Sequence, residues 1–389
     1  MSTLKRIGLV MGHFPYNHHI RIGLRKFTLP DKPWMLEWYG PGLDGVGRLK
    51  AAGADGVITH IQSPEMGHAL RELDLPIVNV GSQFPGVFPD HLVDHSEVGR
   101  MAAAYFADRG FRRVAFLGHP NMRYSMLREE GFLREASRRD LDFMREEIPA
   151  PLTSGEGWEK PGIVMQLLKR CFNNFPSPVA VFCCNDNLAR TLMEVCRVTG
   201  REVPREIAVL GVDNDDPHGL FSAVPLSSVD IGAERIGFAA GKTLEGLMAS
   251  ASKEQNTREK HLTRLHPPLG VVTRASTEVE HVRDPRLATA LEFLRAHAGH
   301  PVEIGTLPKL AGVSRRGLEE LFKAETGHTP LQYLHRLRVD NAKKVLLETD
   351  FPMSRVAERC GFKDAEQFSR LFRKHAGKPP SEFRRTSRV

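Results

Sequence analysis

Cysteine is scarce in this chain of 389 residues: Cys171, Cys183, Cys184, Cys196 and Cys360 make an odd number with no Cys-x-x-Cys pair. That excludes a disulfide framework and a thiolate metal site, and the thiols read as reduced core residues. No apolar run approaches the roughly 20 residues needed to cross a bilayer. Lys5 and Arg6 lead into a short strand pattern, not a secretory leader, so a soluble cytoplasmic protein is expected. No Gly-x-Ser-x-Gly elbow occurs, and no pair of catalytic carboxylates can be assigned. The expectation is therefore not an enzyme. His13, His18 and His19 lie close together but lack an acidic or Cys partner at ligand spacing, so neither metal nor cofactor is expected. Gly40–Gly45 fits G-x-G-x-x-G, yet Pro41 stiffens the loop and His60 stands where an acidic residue would end the next strand.

What is present is unevenly placed. From 285 onward 20 Lys+Arg face 12 Asp+Glu, a net of +8; of the totals 54 and 47, the remaining 34 and 35 leave −1 upstream. A neutral front followed by a basic tail is the electrostatic footprint of a sensor joined to a nucleic-acid-binding domain.

The tail holds two helix–turn–helix patterns. In each, a helix breaks at a glycine (Gly312, Gly361), where the turn needs positive φ. Ser314 or Asp364 then caps the next helix. Leu318, Leu321 and Phe322 in the front pattern, and Phe368, Leu371 and Phe372 in the rear one, fall on one helical face. The opposite faces leave Arg315, Arg316 and Lys323, and Lys363, Gln367, Arg370, Arg373 and Lys374, as candidate DNA contacts. The run from Pro330 to Glu348 reads as one helix of roughly 28 Å. That length suits insertions into successive major-groove faces ~34 Å apart. The Gly361-Phe362 turn, the 368–374 run Phe-Ser-Arg-Leu-Phe-Arg-Lys and the ending Gly377-Lys-Pro-Pro-Ser-Glu-Phe-Arg384 resemble the DNA-binding domain of AraC/XylS-type activators over 285–386. Pro308 departs from that pattern, standing where the family usually has a helical alanine.

The first 275 residues alternate short Val/Ile/Leu runs with amphipathic helices, among them strands at 34–38, 56–59 and 113–117 and helices at 127–138 and 157–171. This predicts two doubly wound parallel α/β lobes, with a ligand cleft at the strand ends. The residues after those strands are rich in Asp, Asn and Arg with aromatic neighbours, a set suited to a polyhydroxyl ligand. Any single Asp or Asn there serves equally well as a helix cap.

Taken together, Asp94 with Gly99, Arg128 with Gly131-Phe132, Asn185-Asp186, Gly211-x-Asp213 and Pro225-Leu-Ser-Ser-Val229 resemble LacI/GalR-type sensor domains, which are periplasmic-binding-protein-like. Arg274-Ala-Ser-Thr277 resembles their closing strand. The resemblance implies that Asp94, Arg128, Asn185 and Asp213 touch a sugar, and Tyr16, Asp186 and Asn214 join them as candidates. Ile231 departs from a polar residue often found there. A sensor placed ahead of an AraC-type tail resembles the XylR-type xylose-operon regulators. That implies D-xylose as effector and activation of xylose-utilisation genes. Promoter DNA, RNA polymerase and a second copy of the chain, in a homodimer, are the expected partners. The expected domains are 1–275, a polar linker 276–284, and 285–389. Two other readings stay open: a sugar-processing enzyme with a basic appendage, and a DNA-binding regulator whose front domain only dimerises.

Overall fold

The structure, a computed structural model, describes residues 4–29, 32–119, 121–144, 176–215, 223–250, 262–278 and 284–387, with 166 and 169 besides. It divides into two compact units: Met1–Tyr105 with Arg113–Glu278, and Phe106–Arg112 with Val279–Val389.

The first unit contains two lobes. One starts β1 (Lys5–Val10), α1 (Pro15–Thr28), β2 (Trp34–Trp38), α2 (Gly42–Ala52), β3 (Gly56–Thr59), α3 (Pro64–Arg71), β4 (Ile77–Asn79) and β5 (Asp90–Val93). The chain then crosses into α4 (His95–Ala107), β6 (Arg113–Leu117), α5 (Arg123–Arg138), β7 (Asp142–Met144), β8 (Val179–Cys183), α6 (Asp186–Thr199), β9 (Ile207–Val212) and β10 (Ser227–Asp230). It returns through α7 (Ala233–Ser250) and β11 (Thr263–His266), and crosses a third time to β12 (Gly270–Val272). The helix expected over 157–171 falls almost wholly outside the described residues.

The two sheets run β11-β5-β4-β3-β1-β2 and β12-β10-β9-β8-β6-β7. Strand for strand these are one topology used twice, a repeat that the residues themselves do not display. β3, β8 and β9 are buried along their whole length, which is why they read as unbroken apolar runs. One pairing departs from the all-parallel expectation: β12 is antiparallel to β10. The closing strand expected at Arg274–Thr277 is instead a 3₁₀ turn, Ala275–Thr277. Hydroxyls replace the ladder there, with Ser276 Oγ donating to the Val209 carbonyl (2.6 Å) and accepting from the Ser227 amide (2.8 Å).

Each lobe is clamped by a pair of helices in backbone contact. A methyl on Gly23 (α1) would lie 1.9 Å from the Glu234 carbonyl oxygen, and one on Gly237 (α7) 2.1 Å from that of Ile20. In the other lobe, a methyl on Gly99 (α4) would lie 1.9 Å from the Arg128 carbonyl and one on Gly131 (α5) 2.0 Å from that of Ser96. Both crossing helices, α4 and α7, are held in this way.

The second unit is helical: α8 (Pro285–His297), α9 (Leu307–Ala311), α10 (Arg315–Thr326), α11 (Pro330–Glu348), α12 (Met353–Arg359), α13 (Ala365–Ala376) and α14 (Pro380–Ser387). The expected turns form, with Gly312 at φ 67° and Gly361 at φ 77°. Ser314 accepts from the Gly317 amide and Asp364 from the Gln367 amide, so each second helix starts where its cap dictates. Pro308 sits in the first turn of α9, where its missing N–H would have had no helical partner. Two separate cores result. Leu287, Leu291, Leu318, Phe322, Tyr333 and Leu334 form the front one, and Val339, Ala342, Leu346, Phe368, Leu371 and Phe372 the rear. The long helix α11 contributes to both.

Gly131→Ala is expected to lower stability by at least about 2 kcal/mol, since the obstructing atom is backbone and cannot rotate away. Gly246→Ala is the control: it is helical with no atom within 4 Å of the added carbon, so it should stabilise by about 0.5–1 kcal/mol. Urea unfolding of both variants checks this, and equal effects would refute the clamp.

Candidate functional site

Strand-end loops from the two lobes of the first unit meet at one cleft. Gln83, after β4, accepts from the Arg123 amide across it (2.9 Å). At the centre is Arg128 on α5, 3% exposed, 3.7 Å from Asp213 at the end of β9. Its other groups are committed too. Nε donates to His95 Nδ1 (3.3 Å), one terminal nitrogen donates to the Cys184 carbonyl, and the fork lies over the Tyr124 ring at 5.1 Å.

These contacts settle the state of His95. Arg Nε can only donate, so His95 Nδ1 accepts, and Nε2 carries the proton that reaches Ser82 Oγ (2.9 Å). Burial, then Arg128, holds this imidazole well below its ordinary pKa. His95 thus joins Ser82 of one lobe to Arg128 of the other, which in turn pairs with Asp213. Sequence reading missed it, and only its place directly after Asp94 pointed to it.

Asp213 is pushed up to about 6 by burial, against the pull of Arg128. Its φ of 110° and the 52° of Asn214 lie in the region that L-residues avoid, a strain of order 1–3 kcal/mol each. Neighbours hold the turn. The Asp213 amide donates to the Val229 carbonyl, the Asn214 amide to Ser228 Oγ (2.9 Å), and Arg274 to Asn214 Oδ1 (2.7 Å).

From the first lobe, the Tyr16 hydroxyl donates to the Val80 carbonyl (2.8 Å). Burial, then the Asp213 charge across the cleft, raises its pKa, while Arg128 lowers it. His60 meets Tyr16 edge to face at 5.9 Å and donates from Nδ1 to Asn17 Oδ1 (3.0 Å). Burial pushes that ring down to about 4.

The remaining candidates sit differently. Asp94 Oδ1 accepts from the Glu97 amide, so it caps α4. Asn185 Oδ1 caps α6 while its Nδ2 donates to the Tyr124 hydroxyl (3.3 Å), at the edge of the Arg128 platform. Asp186 lies beneath the site: Oδ1 accepts from Ser228 Oγ (2.7 Å) and Oδ2 from the Asp215 amide (3.1 Å). Burial, then Asp213 and Asp215, drives it well above the carboxylate range. Burial alone would raise Asp215 too, but two hydrogen bonds from Arg190 (2.7 and 2.9 Å) keep it ionised. Burial likewise raises the nearby thiols, Cys184 to about 11, so neither Cys183 nor Cys184 offers a thiolate. The cleft presents donors, acceptors and ring faces suited to hydroxyls.

In the second unit, α10 and α13 carry the candidate nucleic-acid faces. Arg315 and Arg316 are 87% and 89% exposed, each with an i,i+4 pair to Glu319 or Glu320. Such surface pairs are worth little and do not withhold the guanidinium from another anion. Lys323, Lys363, Arg370, Arg373 and Lys374 are exposed. Gln367 is half-buried, and its carboxamide oxygen accepts from the Lys363 amide (3.0 Å), engaged at the helix start. Among the described residues, no helix is long and apolar enough to cross a membrane.

Comparison with known proteins places these features. A periplasmic binding protein-like domain matches residues 103–277, and a helix-turn-helix domain matches 307–386. The xylose operon regulatory protein of Escherichia coli (strain K12) is 27% identical over 350 residues, 87% of this chain and 86% of that protein. Its counterpart in Haemophilus influenzae is 26% identical over 341 residues, 85% and 84%. A solved structure described as the xylose-binding transcription activator xylR is similar in fold, with a TM-score of 0.58 at 24% identity, over 99% of this chain and 98% of that one. These relatives are transcription regulators, not enzymes.

The His60 environment carries a pH signature. Its folded pKa lies below the 6.5 of an ordinary imidazole, so between these values the unfolded chain binds the extra proton and acid favours unfolding. Wild type should therefore lose more stability than His60→Asn between pH 7 and 4.5, by up to roughly 3 kcal/mol. Parallel losses in melting runs at the two pH values would reject this state of His60.

Proposed function

We propose that this chain, a transcription regulator of the XylR type, binds a sugar between the lobes of its sensor and thereby changes its grip on promoter DNA. D-xylose is the effector favoured, because the regulators similar over nearly the whole chain are named for xylose. The observation that carries the reading is the desolvated Arg128–Asp213 pair at the meeting of both lobes. A pyranose offers alternating hydroxyl donors and acceptors to such a pair, and C–H faces to Tyr16 and Tyr124.

In this reading residues 1–275 are the sensor, 276–284 the linker and 285–389 the DNA-binding domain. Tyr16, Arg128, Asp213, Asn185 and Asn214 bind sugar, with His95 and His60 added by the geometry. Asp94 and Asp186 hold the backbone around them. Arg315, Arg316 and Lys323 on α10, with Lys363, Gln367, Arg370, Arg373 and Lys374 on α13, bind DNA, the arginines at base edges and the lysines at phosphates. The protein works in the cytoplasm as a homodimer, activating xylose-utilisation genes through RNA polymerase. Sugar acts only to the extent that it binds the DNA-competent arrangement more tightly than the other.

Calorimetry against a pentose and hexose panel tests this. D-xylose should bind saturably. Arg128→Ala or Asp213→Ala should weaken it at least about 100-fold, because each leaves a buried charge unpaired. Affinity should fall as pH drops through about 6, where the Asp213 carboxylate takes up its proton. Asp94→Ser keeps a capping oxygen and should leave affinity within about threefold. Binding of another sugar would replace the effector and keep the mechanism, and no binding across the panel would overturn both.

A further inference from the structure

We infer that Arg338 sets the separation of the two recognition helices, α10 and α13, and so the spacing of the two DNA blocks the chain accepts. The inference rests on the reading that both helix–turn–helix units enter the major groove.

The two cores of the helical unit are separate, and among the described residues α11 alone contributes to both. Arg338 stands on that helix between Tyr333 and Leu334, which face the front core, and Val339, Ala342 and Leu346, which face the rear. It is 7% exposed. Nε donates to the Ala298 carbonyl (2.9 Å) and a terminal nitrogen to that of His300 (2.8 Å), both just beyond α8 in the front half. The rear half closes on the same spot. A methyl on Gly361 would lie 2.5 Å from the Ala298 oxygen and 3.0 Å from Arg338 Nε; one on Gly299 would lie 3.4 Å from the Arg359 oxygen. The guanidinium therefore fills the seam between the 298–300 segment and the rear turn, where the halves meet backbone to backbone.

A buried cation with no acidic partner among its bonded neighbours is a poor way to gain stability, and an apolar side chain would serve a core at least as well. Its best-attested use is to select one register among several. Here the register is that of one helix–turn–helix unit against the other. Carbonyl acceptors at fixed positions on one half, with a glycine pressed on the guanidinium from the other, tolerate a single arrangement. Arg338 is thus a positioning residue: it touches no DNA and acts through α10 and α13.

The test is selection of binding sequences from a random DNA pool by the full chain in the presence of D-xylose. Wild type should enrich two base blocks at one fixed separation, close to the ~10 bp of a helical turn. Arg338→Gln should enrich the same two blocks with separations spread over several base pairs, and should bind the wild-type site at least about tenfold more weakly. Arg338→Lys, which keeps the charge but only one bond, should show a smaller spread of the same kind and serves if the Gln variant fails to melt cooperatively. A single unchanged separation in whichever variant folds would overturn the inference, as would loss of preference inside either block. Enrichment of one block only by wild type would remove the front unit from DNA and the inference with it. No enrichment by wild type would instead count against the DNA-binding reading itself.

Discussion

Two helices can touch backbone to backbone only where neither interposes a side chain, and the sensor unit depends on meeting that condition twice. Gly99 with Gly131 and Gly23 with Gly237 bring carbonyls against α-carbons at the crossing of α4 over α5 and of α7 over α1. The first contact involves the carbonyl of Arg128 itself, so the residue at the centre of the cleft is fixed at its backbone. Its guanidinium reaches His95, Cys184 and Asp213 with little freedom left to lose on binding a ligand. The second involves the carbonyl of Ile20, one turn beyond Tyr16. Both walls of the cleft are thus set by the absence of Cβ atoms elsewhere, and any ligand that enters would meet a site already ordered.

Much of this was legible in the residues. Strands 34–38, 56–59 and 113–117 and the helix Pro330–Glu348 lie where their patterns place them. Strand 56–59 is buried along its whole length, whereas 34–38 lies half-exposed at a sheet edge and is marked by its large apolar residues alone. Caps at Ser314 and Asp364 and the turns at Gly312 and Gly361 followed from local chemistry alone. The edge strands β11 and β12 did not. β11 is the polar, largely exposed Thr-Arg-Leu-His, and its strand character comes from pairing with β5, a partner more than 170 residues away.

The cleft was legible only in part, for a different reason. Asp94, Asn185, Asp186 and Asp213 are alike as residue types at strand ends, and their partners separate them. Asp94 and Asn185 cap helices, and Asp186 spends both oxygens on Ser228 and the Asp215 amide. Asp213 alone stands opposite Arg128, on a backbone that only glycine adopts freely. His95 escaped notice because nothing in an isolated histidine announces that a buried arginine will choose its tautomer. Arginine itself is used in two ways. At 128 the guanidinium faces a carboxylate that a ligand can share, whereas at 338 it faces carbonyls and is closed off from exchange.

The way the chain threads the sensor bears on how the protein is made. The first lobe is begun by β1 but finished only by α7 and β11, after every strand of the second lobe except β12 has been laid down. On the ribosome the edge of β5 therefore stays without its neighbour until residue 266 has emerged, an open ladder that other strands can join. The second unit has almost the opposite history. Apart from Phe106–Arg112 it comes from the last stretch of chain, its contacts are local, and such helices form quickly once released. In a nascent chain the slow partner comes first and the fast one last. The cell's burden in producing this regulator then falls on guarding an unfinished front lobe through most of its translation.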